Sequence, residues 1–450
     1  MTSEELTIHT SCFFNARDKC FEQDTSIEVN IKTGLITRTY KRSQSLPDHD
    51  ISSKTDNIID LRRFTVLPGL VDSHTHIFLH AHSETPALNQ MRDESYVERI
   101  VRATNHATTA LMAGYTTYRD LGTEGLRDAD VQFRNAINRG IIKGPRMFVA
   151  SECIASSGGY DIRHENRLPG GLGTSVPRIS DPADGPWAVR AAVRRRIASG
   201  ADVVKFYADY RKRRLRYPAP AWPGAKEIEF PPIDDVLMGD QNVNPDVLLF
   251  TEEEIAAMIS EAKRSRVPIA AHATSPEAIM MASNAGVTTI EHGFGMNDEG
   301  LDVLKANGTI FVPTLAVLDE ELRRVDDDDR SPDMDEAFRH IAAYTKAAVD
   351  KGIKIACGGD TGAFPHGENV RELELMVEAG IPIPDVIQAA TLNGWEACGG
   401  DLCGRRFGSL EKGFAADVIA LEGELSEDNL DALRRVRFVM KDGRVHKEKL

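Results

Sequence analysis

Leu67-Pro68-Gly69-Leu70-Val71-Asp72-Ser73-His74-Thr75-His76 runs an apolar stretch straight into two histidines one residue apart. On a strand, residues i and i+2 share a face, so His74 and His76 point the same way from one strand end. Two imidazoles so placed suit a single metal ion. Alone, the motif reads equally well as two polar residues closing a strand. The rest of the chain decides the matter, because it repeats the arrangement.

From Phe64 onward, apolar strands alternate with segments of helical period. Strands are expected over 66–73, 115–120, 146–151, 201–207, 267–272, 287–292, 309–314 and 353–359. Helices are expected over 95–113, 126–139, 186–199, 251–265, 276–285, 297–307, 334–351 and 368–379. Thr251 with Glu254 reads as a capping box. Gly114, Gly140, Gly200, Gly286, Gly308 and Gly352 stand where helices stop. Eight strands alternating with helices favour an α/β fold, a parallel (β/α)8 TIM barrel, over an open doubly wound sheet. Two long connections, Ser156 to Gly185 and Asp209 to Phe250, leave the strand ends where barrel active sites lie.

The ends of the chain read differently. Ser26 to Ile31 alternates polar and apolar residues, with a Thr33-Gly34 turn before Leu35-Ile36-Thr37. Ser43 to Asp56 reads as an exposed loop. Gly408 to Ile419 gives a turn and a strand, and Val436 to Val445 a hairpin turning at Asp442-Gly443. Residues 1–64 and 407–450 are therefore expected to form one small composite β-sandwich domain, with the barrel over 65–406.

Charge and composition narrow the classes. Of 450 residues, 41% are hydrophobic and 27% charged, as in a soluble globular protein. With 54 Lys and Arg against 69 Asp and Glu, the net charge of −15 argues against nucleic acid or an anionic membrane as partner. No apolar run reaches the length of a membrane span. The acidic start Met1-Thr2-Ser3-Glu4-Glu5 lacks the form of a secretion signal. The six cysteines are scattered without a Cys-x-x-Cys pair, which points to reduced thiols and a cytoplasmic location. The acidic run Asp326 to Asp329 reads as a solvated loop, since no calcium-loop glycine pattern surrounds it.

Four further residues repeat the strand-end theme: Lys205, His272, His292 and Asp360. A lysine inside a barrel is costly unless paired or chemically changed. Lys205 is thus either neutral or salt-bridged, or carboxylated by CO2 so that its carbamate bridges two divalent ions. Six nitrogen or oxygen donors at successive strand ends point to metal binding. A Ser-His-Asp hydrolase is disfavoured, because no Gly-x-Ser-x-Gly elbow occurs.

With these residues in place the chain resembles the amidohydrolase superfamily. More narrowly it is similar to the imidazolonepropionase-like group, which includes prolidase-like metal-dependent dipeptidases and the ochratoxin-hydrolysing amidase. The matched elements are Pro68 to His76, Lys205 with Tyr207-Ala208-Asp209-Tyr210, His272, Glu291-His292, Asp360 and Gly413 to Val418. The resemblance implies two divalent ions, usually zinc. His74, His76 and Asp360 would bind one, His272 and His292 the other, with carboxylated Lys205 between them. It implies hydrolysis of a carbon–nitrogen bond by a metal-activated water, with Asp360 as general base and then acid.

The expected substrate is a small-molecule amide with a free carboxylate, such as a dipeptide or N-acyl amino acid. Tyr207, Tyr210 and Arg211 are candidate contacts, Arg211 opening the basic run to Arg214, and His366 is another. A solvated basic loop accounts for each arginine equally well. Alternatives are a cyclic-amide or imidazolone hydrolase on the same site, and a non-catalytic barrel scaffold. Homo-oligomerisation follows from the resemblance alone. The chain departs from the group after the third strand. Related enzymes often carry Gly-Gly-His there, whereas this chain has Ser157-Gly158-Gly159-Tyr160 through His164.

Overall fold

The computed structural model describes residues 4–43, 57–157, 159, 178–212, 246–324 and 332–450. The loop 44–56, most of the two long connections (with His164 and Arg213-Arg214) and the acidic run 326–329 lie outside the described residues.

Strands from both ends of the chain meet in one sheet. Its order is Arg444–Glu448, Val436–Lys441, Val418–Leu421, Thr65–Pro68, Cys12–Asn15, Cys20–Gln23. A second sheet holds Leu35–Lys41, Thr25–Asn30, Glu5–His9 and Ile58–Asp60. Ile8, Ile27 and Val29 of the latter are buried in one cluster with Val66, Val418 and Phe438 of the former. The alternation that places Ile27 and Val29 on one face is the period-2 pattern of the sequence. Asp442 and Gly443 both take positive φ, 50° and 70°, as a two-residue hairpin turn requires. Gly34, at φ 69°, lies against this turn: a Cβ there would stand 2.4 Å from the Asp442 carbonyl oxygen.

Apart from an antiparallel pair, Asp209–Lys212 with Asp246–Leu248, the remaining strands run parallel. Arg146–Val149, Tyr115–Asp120 and Leu70–Thr75 form one group. Ser180–Pro182, Cys153–Ala155, Val204–Tyr207, Ile269–Ala273, Thr289–His292 and Ile310–Val312 form the other. Backbone bonds run from the first group to the segment before Val204 and to the segment around Cys357. Val149 accepts from the Asp202 N–H at 2.8 Å, and Cys357 accepts from the Ser73 N–H at 2.8 Å.

The strand expected over 353–359 does not form as a regular strand. It joins its neighbours through isolated bridges, Phe311 with Ile355 and Thr75 with Thr361. Its Cys357 N–H turns away to the Ala389 carbonyl at 3.1 Å. Gly358 lies so close to the first strand that a Cβ would meet the His74 nitrogen at 2.7 Å.

The helices stand near their expected places, for instance Tyr96–Met112, Glu252–Arg264 and Pro276–Ala285. Thr251 and Glu254 make the reciprocal capping box. Gly200, Gly286 and Gly308 end their helices in left-handed geometry. Ala87–Asp93, Leu315–Arg324, Ile383–Ala389 and Leu392–Ala397 are helices that the period reading passes over. The six cysteines are free thiols. No helix among the described residues is long and apolar enough to cross a membrane.

Candidate active site

All six expected donors open onto one cleft. His74, His76, Lys205, His272, His292 and Asp360 line a cavity of about 190 Å³ at the C-terminal ends of the parallel strands. His74 belongs to Leu70–Thr75, Lys205 to Val204–Tyr207, His272 to Ile269–Ala273, and His292 closes Thr289–His292. His74, His76 and Asp360 offer ligand atoms within 4.8 Å of one another, a grouping that can hold a cation. Asp360 Oδ1 stands 3.6 Å from His74 Nε2 and 3.2 Å from His76 Nε2. The His272 and His292 rings lie 4.4 Å apart, and His292 lies 4.8 Å from His74.

The imidazoles are oriented from behind. His74 Nδ1–H donates to Glu291 Oε2 at 2.9 Å, and His76 Nδ1–H to the Gly122 carbonyl at 2.9 Å. His292 Nδ1 is engaged by the Thr314 hydroxyl at 2.9 Å. With Nδ1 occupied, Nε2 is left as the donor atom, the arrangement typical of metal-ligating histidines. His292 and Asp360 also take positive φ, 72° and 63°, conformations that non-glycine residues hold mainly where the surrounding structure compels them.

Lys205 is the most telling residue. It is 1% exposed, and its Nζ is buried with no hydrogen-bond partner among the described residues. Burial holds its ammonium below the usual lysine range. A bare ammonium there would forfeit its hydration without recompense. The donor set around it, histidine nitrogens and a carboxylate, is that of a divalent metal site. The residues present therefore fit such ions.

Asp360 is disposed to be ionised. Burial alone would raise its carboxyl, but His74 and His76 beside it hold it well below the usual carboxylate range. Burial likewise works against charge on His76, and Asp360 outweighs that and pushes it up to about 9. Burial, then Lys205, holds His74 down to about 4.

Several members of the site lie outside the six expected donors. Glu291 is fully buried and joins His74 to Arg119, whose Nη2 donates to Glu291 Oε1 at 2.7 Å. Arg119 also donates to the Ser73 carbonyl at 2.5 Å and the Ala397 carbonyl at 3.1 Å. Burial would raise the Glu291 carboxyl; Arg119, then the His74 bond, hold it well below the usual range. Its ionised form thus favours the fold above its unfolded-state pKa, a contribution lost as pH falls through the folded-state value. Glu291→Gln should cost about 3–5 kcal/mol, the cost of leaving a buried charge such as Arg119 unpaired. Denaturant unfolding checks this, and an unchanged midpoint would remove Glu291 from the framework.

His82, Glu124 and Glu321 line the cleft as well, none of them among the expected residues. Burial pushes the His82 imidazole down to about 4.

Of the expected substrate contacts, Tyr207 and Tyr210 do line the cleft, their rings 5.4 and 4.8 Å from His272. Arg211 has its backbone in the strand Asp209–Lys212, and its side chain lies outside the described residues. His366 is not among the residues that line the cleft. Its Nε2 engages the Leu79 carbonyl at 3.1 Å, its Nδ1 the Tyr118 hydroxyl at 3.4 Å, and its ring stacks on His106.

Comparison with known proteins follows the same lines. The model of the Amidohydrolase family matches residues 65–447. Ochratoxinase of Aspergillus niger is 30% identical over 346 residues, which span 75% of this chain and 66% of that protein, just under two thirds of its length. A crystal structure of a Xaa-Pro dipeptidase with methionine bound in its active site is 30% identical. It superposes with a TM-score of 0.75 over 98% of this chain and 100% of that one. The crystal structure of A. niger ochratoxinase gives 0.76 over 99% and 96%, at 24% identity, a likeness of fold.

Proposed function

The chain belongs to the amidohydrolase family, within its prolidase-like and ochratoxinase group, and on that premise we propose that it hydrolyses an amide bond with the help of divalent metal ions. Its α/β fold is of the TIM-barrel type shared by its structural neighbours. The proposed architecture is a closed (β/α)8 barrel carrying a composite β-sandwich built from residues 1–64 and 407–450. The shared core of the two terminal sheets supports it.

One observation carries the functional reading. Six donors brought from five segments of the chain converge on one cleft, and the Nζ of one of them, Lys205, is buried without a hydrogen-bond partner among the described residues. His74, His76 and Asp360 would hold one ion, His272 and His292 a second, and Lys205, as its carbamate, would bridge them. Zinc suits this donor set. When bound, such ions supply Lewis acidity toward a water and a substrate carbonyl.

The chain's own groups do the rest. Asp360, kept ionised, takes the proton of the attacking water and returns it to the leaving nitrogen. Leu121 and Phe294 wall the cleft with apolar surface and limit solvent around the reacting groups. Tyr207 and Tyr210, packed on His272, form the side on which the leaving group is received. The proposed substrate is a dipeptide or N-acyl amino acid with a free carboxylate. The dipeptidase and ochratoxinase relatives support it.

The test pairs metal analysis with turnover of a panel of dipeptides, including Xaa-Pro pairs, and N-acyl amino acids. Purified enzyme should carry close to two divalent ions per chain. Chelation should abolish turnover, and added Zn2+ should restore it. Undiminished turnover in metal-free protein would end the metal reading. Failure of metal-loaded enzyme on every amide would end the hydrolase reading.

A further inference from the structure

A second cavity, of about 750 Å³, opens at the other end of the parallel strands. Arg146 begins the strand Arg146–Val149 and Asp202 precedes Val204–Tyr207, so these two wall residues mark N-terminal strand ends. The turn 31–34 and the hairpin residues around Asp442 close it from the terminal sheets. Its volume falls within the roughly 300–1,000 Å³ usual for small-molecule sites.

The charge of this wall opposes that of the protein. The chain carries a net −15, yet the cavity is lined by seven lysines and arginines against two aspartates. Three of the cations are committed to carboxylates. Arg134 pairs with Asp202, Arg146 with Asp417 and Asp442, and Arg405 with Asp442. The others are not neutralised in this way. Lys441 donates to the Gly144 carbonyl at 2.6 Å and makes no ion pair among the described residues, though Asp442 and Asp417 are near enough to act on its charge. Lys32 lies 3.8 Å from Glu4, an exposed and loose pair. Lys143 and Arg444 are exposed and make no ion pair among the described residues. The buried Nε2 of His446 has no hydrogen-bond partner among the described residues. The crowding of positive charge shows in its neighbours. Burial, then Arg146, holds the Lys441 ammonium down to about 8, and burial, then Lys441, holds His446 down to about 4.

We propose that this cavity binds a small organic polyanion bearing phosphate groups, with Lys143, Lys441 and Arg444 as its charge partners and His446 Nε2 as a further hydrogen-bonding group. Compact ammonium groups and a guanidinium fork converging on one concave surface are the chemistry that phosphate oxygens recognise. The site is separate from the metal cleft and does not rest on the amide-hydrolysis reading. Its walls come from the barrel strands and from the terminal hairpin, so a bound anion ties the two together and raises the melting temperature.

The probe is fructose 1,6-bisphosphate, titrated into the metal-loaded full chain at constant ionic strength. A bisphosphate ester chelates metal ions less than pyrophosphate does, which keeps the metal cleft out of the measurement. Calorimetry should show saturable binding of one bisphosphate per chain, and the melting temperature should rise with it. The double variant Lys143→Glu/Arg444→Glu should bind at least roughly tenfold more weakly, a factor of ten in Kd being one step on the affinity scale. Both positions are exposed, so the melting temperature without ligand should stay near that of the parent. Should the charge reversal itself unfold the chain, Lys143→Gln/Arg444→Gln provides the same comparison with less perturbation. No saturable heat, undiminished affinity in the variants, or an equal thermal shift from sodium sulfate would each overturn the proposal.

Discussion

Lys205→Ala is expected to lose most of its bound metal and at least about 10²-fold in kcat, the upper end of what altering a metal's supporting shell costs. The structure makes this separable from unfolding. Lys205 Nζ has no hydrogen-bond partner to forfeit, so the substitution breaks no polar contact among the described residues. Lys205→Met, which keeps most of the side-chain volume, serves as the control. Compared as metal-free proteins, where no carbamate is held, replacing the buried amine by an apolar group of similar size should leave stability near or above that of the parent. Bicarbonate with a short-chain carboxylic acid should partly restore metal to Lys205→Ala by supplying the missing carboxylate. The measurement is metal content by mass spectrometry beside turnover on the same preparation. A full complement of metal in Lys205→Ala contradicts the bridging role, whatever the rate.

Asp360→Asn is expected to separate two roles that one carboxylate fills. The amide keeps an oxygen donor and the shape of the side chain, so much of the metal should stay. The basic group is gone, and kcat should fall by roughly 10²–10⁴, the contribution of a positioned general base. Gly358 and Gly359 precede Asp360, and Cβ atoms there would meet His74 and Phe364, so the backbone is fixed independently of the Asp360 side chain. Metal content and kcat must be read on one sample. Full metal with near-normal kcat would remove Asp360 from the chemistry, and the base would then be sought in His82 or Glu321, which share the cleft.

Much of this arrangement is legible in the chain itself, because its signals are local. Glycine after a helical run marks a left-handed stop at Gly200, Gly286 and Gly308. Thr251 and Glu254 show a helix start three residues apart. Each donor follows an apolar run in the sequence, so the six are found without knowing how those runs pack. What stays hidden depends on distant partners. Glu291 is matched beside His292, but its role is not legible, since its bond to His74 crosses 217 positions. The expected strand over 353–359 fails because its pairing is divided between two neighbours and Ala389, which apolar composition does not reveal. Leu315–Arg324 follows a strand with almost no loop, so its period merges with what precedes it. Yet it brings Glu321 to the cleft. His366, near Asp360 in sequence, engages Leu79 and Tyr118 and is not among the residues that line the cleft.

The mixed terminal sheet has a consequence for how the protein comes into being. Thr65–Pro68 pairs with Val418–Leu421, which leaves the ribosome about 350 residues later. At roughly 5–20 residues per second, that partner arrives some 20–70 s after the strand it must join. Until then Thr65–Pro68 and Cys12–Asn15 present an unmatched edge with apolar side chains such as Phe13 and Val66, the kind of edge that invites pairing with other chains. The barrel strands can assemble during synthesis. The sheet that unites these segments forms only once Val418–Leu421 has emerged, and until then the waiting strands are exposed to misassembly. A chain cut short before Val436 would lose Phe438 and Met440 from the shared core.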